Sequence, residues 1–292
     1  VDRDDSILQR LIRWWLLRGG DVAGLEKRSG RLSSLTNAIN DKIRRLKTAV
    51  RANPDIESFD GRDRLAISVL EDQPPWSDIE PTASHIPGMI SNEERQYYEY
   101  LGRFFRGVGE AVELGPWLGC STCHIVAGLA VNPNFVGRKL HVCDNFVWQA
   151  DWMDNWIDPA DRPDHLADFR HLFDRYTAGF AENLVVQKRS IAQTPDNIGV
   201  ADLTWDGRPV EILYVDCGRT MDVNEAWYHK FLPAMIPDTT MIIMQDWGTH
   251  RIVPVKWFNQ VKQFIESKGS ALQPIHELRQ GDAGTFIYRG KR

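Results

Sequence analysis

From residue 110 to residue 268, short apolar runs alternate with segments of helical period: AVELG, CHIVAGLAV, KLHVCD, HLADFRHLFDRYTAGF, LVVQKRS, EILYVD, EAWYHKFLPAM, TMIIMQD and VKWFNQVKQFIESK. This order constrains the fold more than any other feature of the chain. A strand followed by a helix-length segment and a further strand calls for parallel pairing, and the helices then cover both faces of the sheet. The tail LQPIHELRQGDAGTFIYRG breaks the rule. Its two strand-like runs flank Gly281 and Asp282 with too few residues for a crossover helix, so an antiparallel hairpin at the sheet edge is expected.

Upstream, Ser91 and Glu94 form the spacing of a capping box that opens the helix NEERQYYEYLGRFFRG. Residues 53–90 are rich in Pro, Asp and Ser and read as an irregular linker or cover. Before them, Leu35, Ile39, Ile43, Leu46 and Val50 recur at spacings of three and four, the apolar stripe of a helix. That stripe suits a coiled-coil seam in a homo-oligomer and equally a helix packed on its own domain. The division expected is a helical extension over 1–52, the linker over 53–90 and the main domain over 91–292. A first residue Val1 rather than Met is consistent with a processed chain or a piece of a larger protein.

Charge and cysteine usage bound the function. A net charge of -5 gives no basic field, so no nucleic-acid partner is expected. Arg10, Arg13 and Arg18 interrupt the apolar ILQRLIRWWLLRGG, which reads as an amphipathic helix and not a transmembrane segment. The four cysteines read as reduced thiols of a cytoplasmic protein, with Cys120 and Cys123 as helix-packing residues, since their CxxC has no second pair.

Ligands of open α/β sheets sit beyond the carboxyl ends of the strands. There the chain places AVELGPWLGCST, in which Gly115 and Gly119 let the backbone approach a ligand and Ser121 and Thr122 are expected to cap the next helix. The spacing is GxxxG, not the GxGxxG of dinucleotide folds, and Glu113 stands two residues before the first glycine. A carboxylate in that place repels pyrophosphate and attracts a cation such as a sulfonium. Asp144, ending LHVCDNF, is placed to accept hydrogen bonds from both hydroxyls of a ribose. S-adenosylmethionine is therefore favoured over NAD.

On these residues the chain resembles the class I S-adenosylmethionine-dependent methyltransferases, most like the branch of macrolide-sugar and aminocoumarin-sugar O-methyltransferases and cephalosporin-hydroxylase-like proteins. The resemblance spans about residues 87 to 290 and rests on IPGMISNEE, VELGPWLGCST, CDNF, ILYVDCG, MIIMQDWG and the closing hairpin, in that order. It implies an α/β, Rossmann-like methyltransferase fold with a mostly parallel seven-stranded sheet in the order 3-2-1-4-5-7-6. It also implies S-adenosyl-L-methionine as cofactor. Glu113, Gly115, Pro116, Trp117 and Gly119, with Ser121 and Thr122, would then form the loop around its methionine part. Asp144 would hold the ribose, Asn145 and Phe146 would lie near the adenine, and Arg189, Ser190 and Ile191 would cover that ring.

Metal-dependent members of the branch carry Asp-x-Asp after strand four and Asp-Asp after strand five. Here the motifs read DCG and QD, which puts Gly218 where a general base would stand and Gln245 beside Asp246. A Mg2+ site on Asp216, Gln245 and Asp246 is expected to be weakened by the amide. With that base missing, His250 on the strand-five loop becomes the candidate base beside Asp216 and Asp246, with His229 as the runner-up. Trp148, Trp152 and Trp156 recur every four residues, so one helical face is expected to present three indoles to a ligand or a packing partner. Trp117 and Trp247 are expected to line the pocket. The function expected is O-methyl transfer to a hydroxyl of a sugar, polysaccharide or glycosylated natural product. The alternative is a methyltransferase-like binding or assembly module that has lost turnover.

Overall fold

The computed structural model describes residues 74–83, 85–192, 201–251, 256–278 and 280–290. The helical extension expected over 1–52 and the first part of the 53–90 linker lie outside the described residues. Strands β1 (Glu110–Leu114), β2 (Leu140–Asp144), β3 (Leu184–Lys188), β4 (Val210–Val215) and β5 (Met241–Met244) pair in parallel. The hairpin of β6 (Leu272–Glu277) and β7 (Gly284–Tyr288) completes a seven-stranded sheet in the order β3-β2-β1-β4-β5-β7-β6. This is the Rossmann-like order expected. β7 pairs antiparallel with β5 and leaves β6 at the edge.

The strands read as continuous apolar runs because both faces of the sheet are covered. VEILYV of β4 is buried at every position, Glu211 included. Among the described residues the α-helices are α1 (Asn92–Arg103), α2 (Cys120–Ala130), α3 (Ala150–Met153), α4 (Arg170–Tyr176), α5 (Met221–Phe231) and α6 (Lys256–Lys268), joined by 3-10 turns. One core cluster unites Leu114, Val215, Trp227, Phe231, Met244, Phe264 and Phe286. The capping box at α1 is formed: Ser91 Oγ accepts from the Glu94 N–H at 3.1 Å and the Glu94 carboxylate accepts from the Ser91 N–H. α1 crosses α2 at glycines, where a Cβ on Gly128 would stand 2.1 Å from the Glu99 carbonyl oxygen.

The described part of the linker is an irregular cover, with Trp76, Ile79 and Ile86 buried and the Trp76 ring 4.7 Å from that of Tyr97. Cys120 and Cys123 pack beneath it with Ala83 and Ile86, and burial pushes their thiols up to about 11 and about 12. They are packing residues, as the sequence suggested. No helix among the described residues is long and apolar enough to cross a membrane.

Among the described residues, 148–167 and Arg251 form a compact unit distinct from the sheet with its helices. The expected stripe of three indoles does not form within it. Trp148 precedes α3, Trp152 lies in that single turn, and Trp156 ends the 3-10 turn that follows. Local polar partners replace a shared face: Trp148 Nε1 donates to Asp154 at 2.7 Å and Trp152 Nε1 to Gln149 at 3.1 Å.

Candidate active site

Backbone hydrogen bonds continue one step past the strand ends. The N–H of Gly115 donates to Cys143 O, that of Asp216 to Leu114 O, and that of Gln245 to Val215 O, each at 2.9 Å. The loops after β1, β2, β4 and β5 therefore start side by side. Three of them carry a non-glycine residue at positive φ: Trp117 (48°), Phe146 (53°) and Asp246 (61°). Such strained backbone gathers at ligand sites when the surrounding structure enforces it.

Glu113 lies beneath the first loop, 1% exposed, and both carboxylate oxygens are engaged from α2. Ser121 Oγ donates to Oε1 at 2.5 Å and Thr122 Oγ1 to Oε2 at 2.6 Å. The two hydroxyls thus do not cap α2, whose N-cap is Gly119 at φ 89° with no side-chain cap. Their geometry follows from charge: a buried carboxylate must be hydrogen-bonded, and the hydroxyls one turn into the helix are the nearest donors. Burial raises Glu113 to about 7 against the pull of these bonds, with Asp144 adding to the rise. Glu113 therefore fixes the loop from below instead of lining its open side.

The two loop glycines serve different neighbours. A Cβ on Gly115, at φ 83°, would lie 3.0 Å from the Asp216 carbonyl carbon, so this glycine lets the β1 and β4 loops close on each other. A Cβ on Gly119 would lie 2.4 Å from Thr177 Cγ2, which makes it a packing site against the end of α4 and not an approach to a ligand. Trp117 is 9% exposed.

Asp144 is half-buried at the end of β2 and raised to about 6 by burial, against hydrogen bonds from the backbone of Phe146, Trp117 and Asn145. Its Oδ1 accepts from the Phe146 N–H at 2.7 Å, and Asn145 Oδ1 accepts from Val147 N–H at 3.1 Å. The Phe146 ring is fully buried, 5.4 Å from each of Phe169 and Phe173. It is a core residue and not an adenine neighbour, because its positive φ turns the ring into the α4 packing. Ser190 is buried, its N–H donating to Asp202 at 2.7 Å, Ile191 packs against the main core cluster, and Arg189 pairs with Asp202 at 3.4 Å.

At the ends of β4 and β5, Asp216 and Asp246 keep 30% and 19% of their side chains exposed, and a guanidinium joins them. Arg219 Nε donates to Asp246 Oδ2 at 2.6 Å, and Nη2 stands 4.0 Å from Asp216 Oδ1. Asp216 is pushed well above the usual carboxylate range, first by burial and then by Asp246, while Arg219 pulls it back. Gln245 is used elsewhere: its amide oxygen accepts from the Tyr98 hydroxyl and its amide nitrogen donates to Glu94 at 2.7 Å. Among the described residues no group of three His, Cys, Asp or Glu side chains is arranged to hold a metal ion. The expected metal set of Asp216, Gln245 and Asp246 does not fit a Mg2+ ion, because Gln245 is tied to Tyr98 and Glu94 of α1 and Asp246 to Arg219.

His250 sits in the 3-10 turn Trp247–Arg251, its Nδ1 2.6 Å from the Trp247 carbonyl oxygen. A carbonyl only accepts, so Nδ1 carries the proton and the lone pair of the neutral ring lies on Nε2. Trp247 does not line a pocket. It is 1% exposed and packs in the core 5.1 Å from Phe286, with Nε1 donating to Glu277 at 2.7 Å. His229 is exposed on α5, 3.2 Å from Glu225.

Sequence reasoning missed Glu94, Tyr98, Tyr214 and Arg219. Glu94 also accepts from the Asp282 N–H at 3.0 Å and so ties α1 to the hairpin turn. Tyr214 pairs in register with Glu113 and its ring lies 5.4 Å from that of Tyr98. Of the α1 glutamates the sequence singled out only Glu94, through its capping spacing with Ser91.

The chain's sequence matches no protein-family model and no curated protein. Among solved structures it is similar to the O-methyltransferase NovP, at 15% identity over 70% of this chain and 82% of that one, with a TM-score of 0.45. It is also similar to cofactor-bound Rv0187 from MTB, at 12% identity over 82% and 98% of the two chains, TM-score 0.46. A third is CalS11, described as a TDP-rhamnose 3'-O-methyltransferase of calicheamicin biosynthesis, at 12% identity over 86% and 94%, TM-score 0.42. The strand order described above stands on the chain's own hydrogen bonding.

Proposed function

We propose that the protein is an S-adenosylmethionine-dependent O-methyltransferase acting on a hydroxyl of a sugar, polysaccharide or glycosylated natural product. The observation that carries this reading is the meeting of Asp144, Asp216 and Asp246 with a strained, glycine-bearing β1 loop at the carboxyl ends of a sheet ordered β3-β2-β1-β4-β5-β7-β6. The residues fit the cofactor. Asp144 offers a carboxylate at the strand end for the ribose hydroxyls, and Gly115, at φ 83°, lets the β1 loop close on the β4 loop beside it. Asn145, Ser190 and Ile191 are the candidates beside the adenine. Bound there, the cofactor supplies a methyl group already activated by its sulfonium, so the chain's work is positioning.

Asp216, Arg219 and Asp246 would orient the acceptor. His250, with its Nε2 lone pair, would take the hydroxyl proton as the oxygen–methyl bond forms. The sugar class of the acceptor follows from the sequence resemblance, and a cytoplasmic homo-oligomer is part of the same reading. A binding module without turnover is the second reading, favoured by Gly218 and Gln245 where the branch carries carboxylates.

Titration calorimetry with S-adenosylhomocysteine tests the first reading. Binding to the wild type that weakens at least ~10-fold in Asp144→Ala supports it. Absence of binding would overturn it. Binding without methyl transfer to any sugar acceptor would favour the module.

A further inference from the structure

Arg219 lies between the two strand-end carboxylates where the sequence resemblance led one to look for a divalent cation. The groups around it do not form a metal's donor set. Gly218 stands in place of an acid, and a Cβ at that position would meet Asn224 Oδ1 at 2.2 Å. Asn224 Nδ2 donates to the Gly218 carbonyl at 2.8 Å, so the turn after β4 is packed down onto α5. Thr220 then caps α5, and the intervening Arg219 reaches back to Asp246. Gln245 turns its amide to Tyr98 and Glu94.

A Mg2+ ion needs about six oxygen ligands near 2.1 Å in almost octahedral array, and a guanidinium hydrogen-bonded to one of two carboxylates opposes it by charge and by occupancy. We infer that Arg219 takes over the task of that cation: its guanidinium, held between Asp216 and Asp246, grips the acceptor's oxygens, and methyl transfer by this protein needs no divalent metal. The inference rests on the methyltransferase reading above. Arginine suits the task because its planar fork offers five donors, of which Nε is given to Asp246, and two parallel N–H bonds match neighbouring oxygens such as those of a vicinal diol. Its charge stays fixed at any working pH, since Asp246 and Asp216 raise its pKa still further against desolvation.

Three measurements on the full chain test the idea. Mn2+ binding followed by electron paramagnetic resonance should show no stoichiometric site in the wild type up to about 1 mM metal. Methyl transfer should run at the same rate in EDTA as with added Mg2+. Arg219→Ala should lower kcat/KM for the acceptor at least ~10-fold, with Arg219→Lys recovering part, while S-adenosylhomocysteine affinity stays within about threefold. One Mn2+ bound tighter than about 100 µM and lost in Asp246→Asn would overturn the inference. So would Arg219→Ala retaining full turnover. Failure of the wild type to bind S-adenosylhomocysteine would instead sink the methyltransferase reading, and the Mn2+ result would still judge the exchange of metal for arginine.

Discussion

A carboxylate buried to 1% exposure is stable only if its oxygens are bonded, and at Glu113 two hydroxyls from one helix turn meet that need. Thr122→Val removes one donor without changing shape. It should cost about 1.5–3 kcal/mol in urea unfolding near pH 8, where Glu113 is ionised, and clearly less near pH 5.5, where it holds a proton. An equal cost at both values would mean that the threonine contributes only packing. The ring of His250 is oriented by a carbonyl in the same sparing way. His250→Ala should lower turnover on the order of a hundredfold with little change in cofactor affinity, and a loss below about threefold would remove it as the base. At this scale the sequence was partly legible. The acids at strand ends announced themselves by position, whereas the purpose of Ser121 and Thr122 depended on which way Glu113 points. Arg219 depended on a partner 27 residues away. No local pattern encodes either.

At the scale of elements, helix α1 rests on α2 through backbone contact that only glycine permits. A Cβ on Gly128 would stand 2.1 Å from the Glu99 oxygen, and one on Gly102 would stand 2.5 Å from the Leu129 nitrogen. Gly128→Ala should therefore destabilise by about 1–3 kcal/mol or more in chemical unfolding, despite alanine's better helix propensity. Gly179→Ala, where a Cβ meets nothing within 4 Å, is the control and should stay within about 0.5 kcal/mol. A neutral Gly128→Ala would mean that α1 is free to shift, and with it Glu94 and Tyr98, which reach from α1 to Gln245. The sheet was legible because parallel order follows from alternation, and the hairpin because its link is too short for a crossover. The tryptophan stripe was misread because a spacing of four has meaning only in an unbroken helix. Here the run is broken on both sides of Trp152: Trp148 precedes α3, and α3 gives way to a 3-10 turn at Asp154.

For the whole molecule, three raised acids, Glu113, Asp144 and Asp216, stand against two lowered histidines, and the signs decide how stability follows pH. Burial lifts Glu113 from 4.5 to about 7 and Asp144 from 3.8 to about 6. Between those values the folded state keeps protons that the unfolded chain has lost, so stability falls as pH rises. Burial lowers His276 from 6.5 to about 4, with its ring 5.3 Å from Trp76 and 5.0 Å from Tyr97. His141 is lowered too, by burial first and then by Arg208. There the unfolded chain binds protons that the folded rings refuse, and stability rises with pH. Glu113 and His276 each carry about 3 kcal/mol over their windows, which overlap, so their slopes cancel. Urea unfolding of the unliganded wild type should accordingly decline from about pH 6.5 to about pH 7.5, where both histidines are neutral in either state while Glu113 still gives up its proton and the raised Asp216 acts in the same direction. Glu113→Gln should tilt the profile upward with pH, and His276→Gln should tilt it downward. Parallel profiles for all three proteins would mean that neither buried group is shifted from its unfolded value, and the raised Glu113 that still holds its proton beneath the β1 loop near pH 6 would have to be given up.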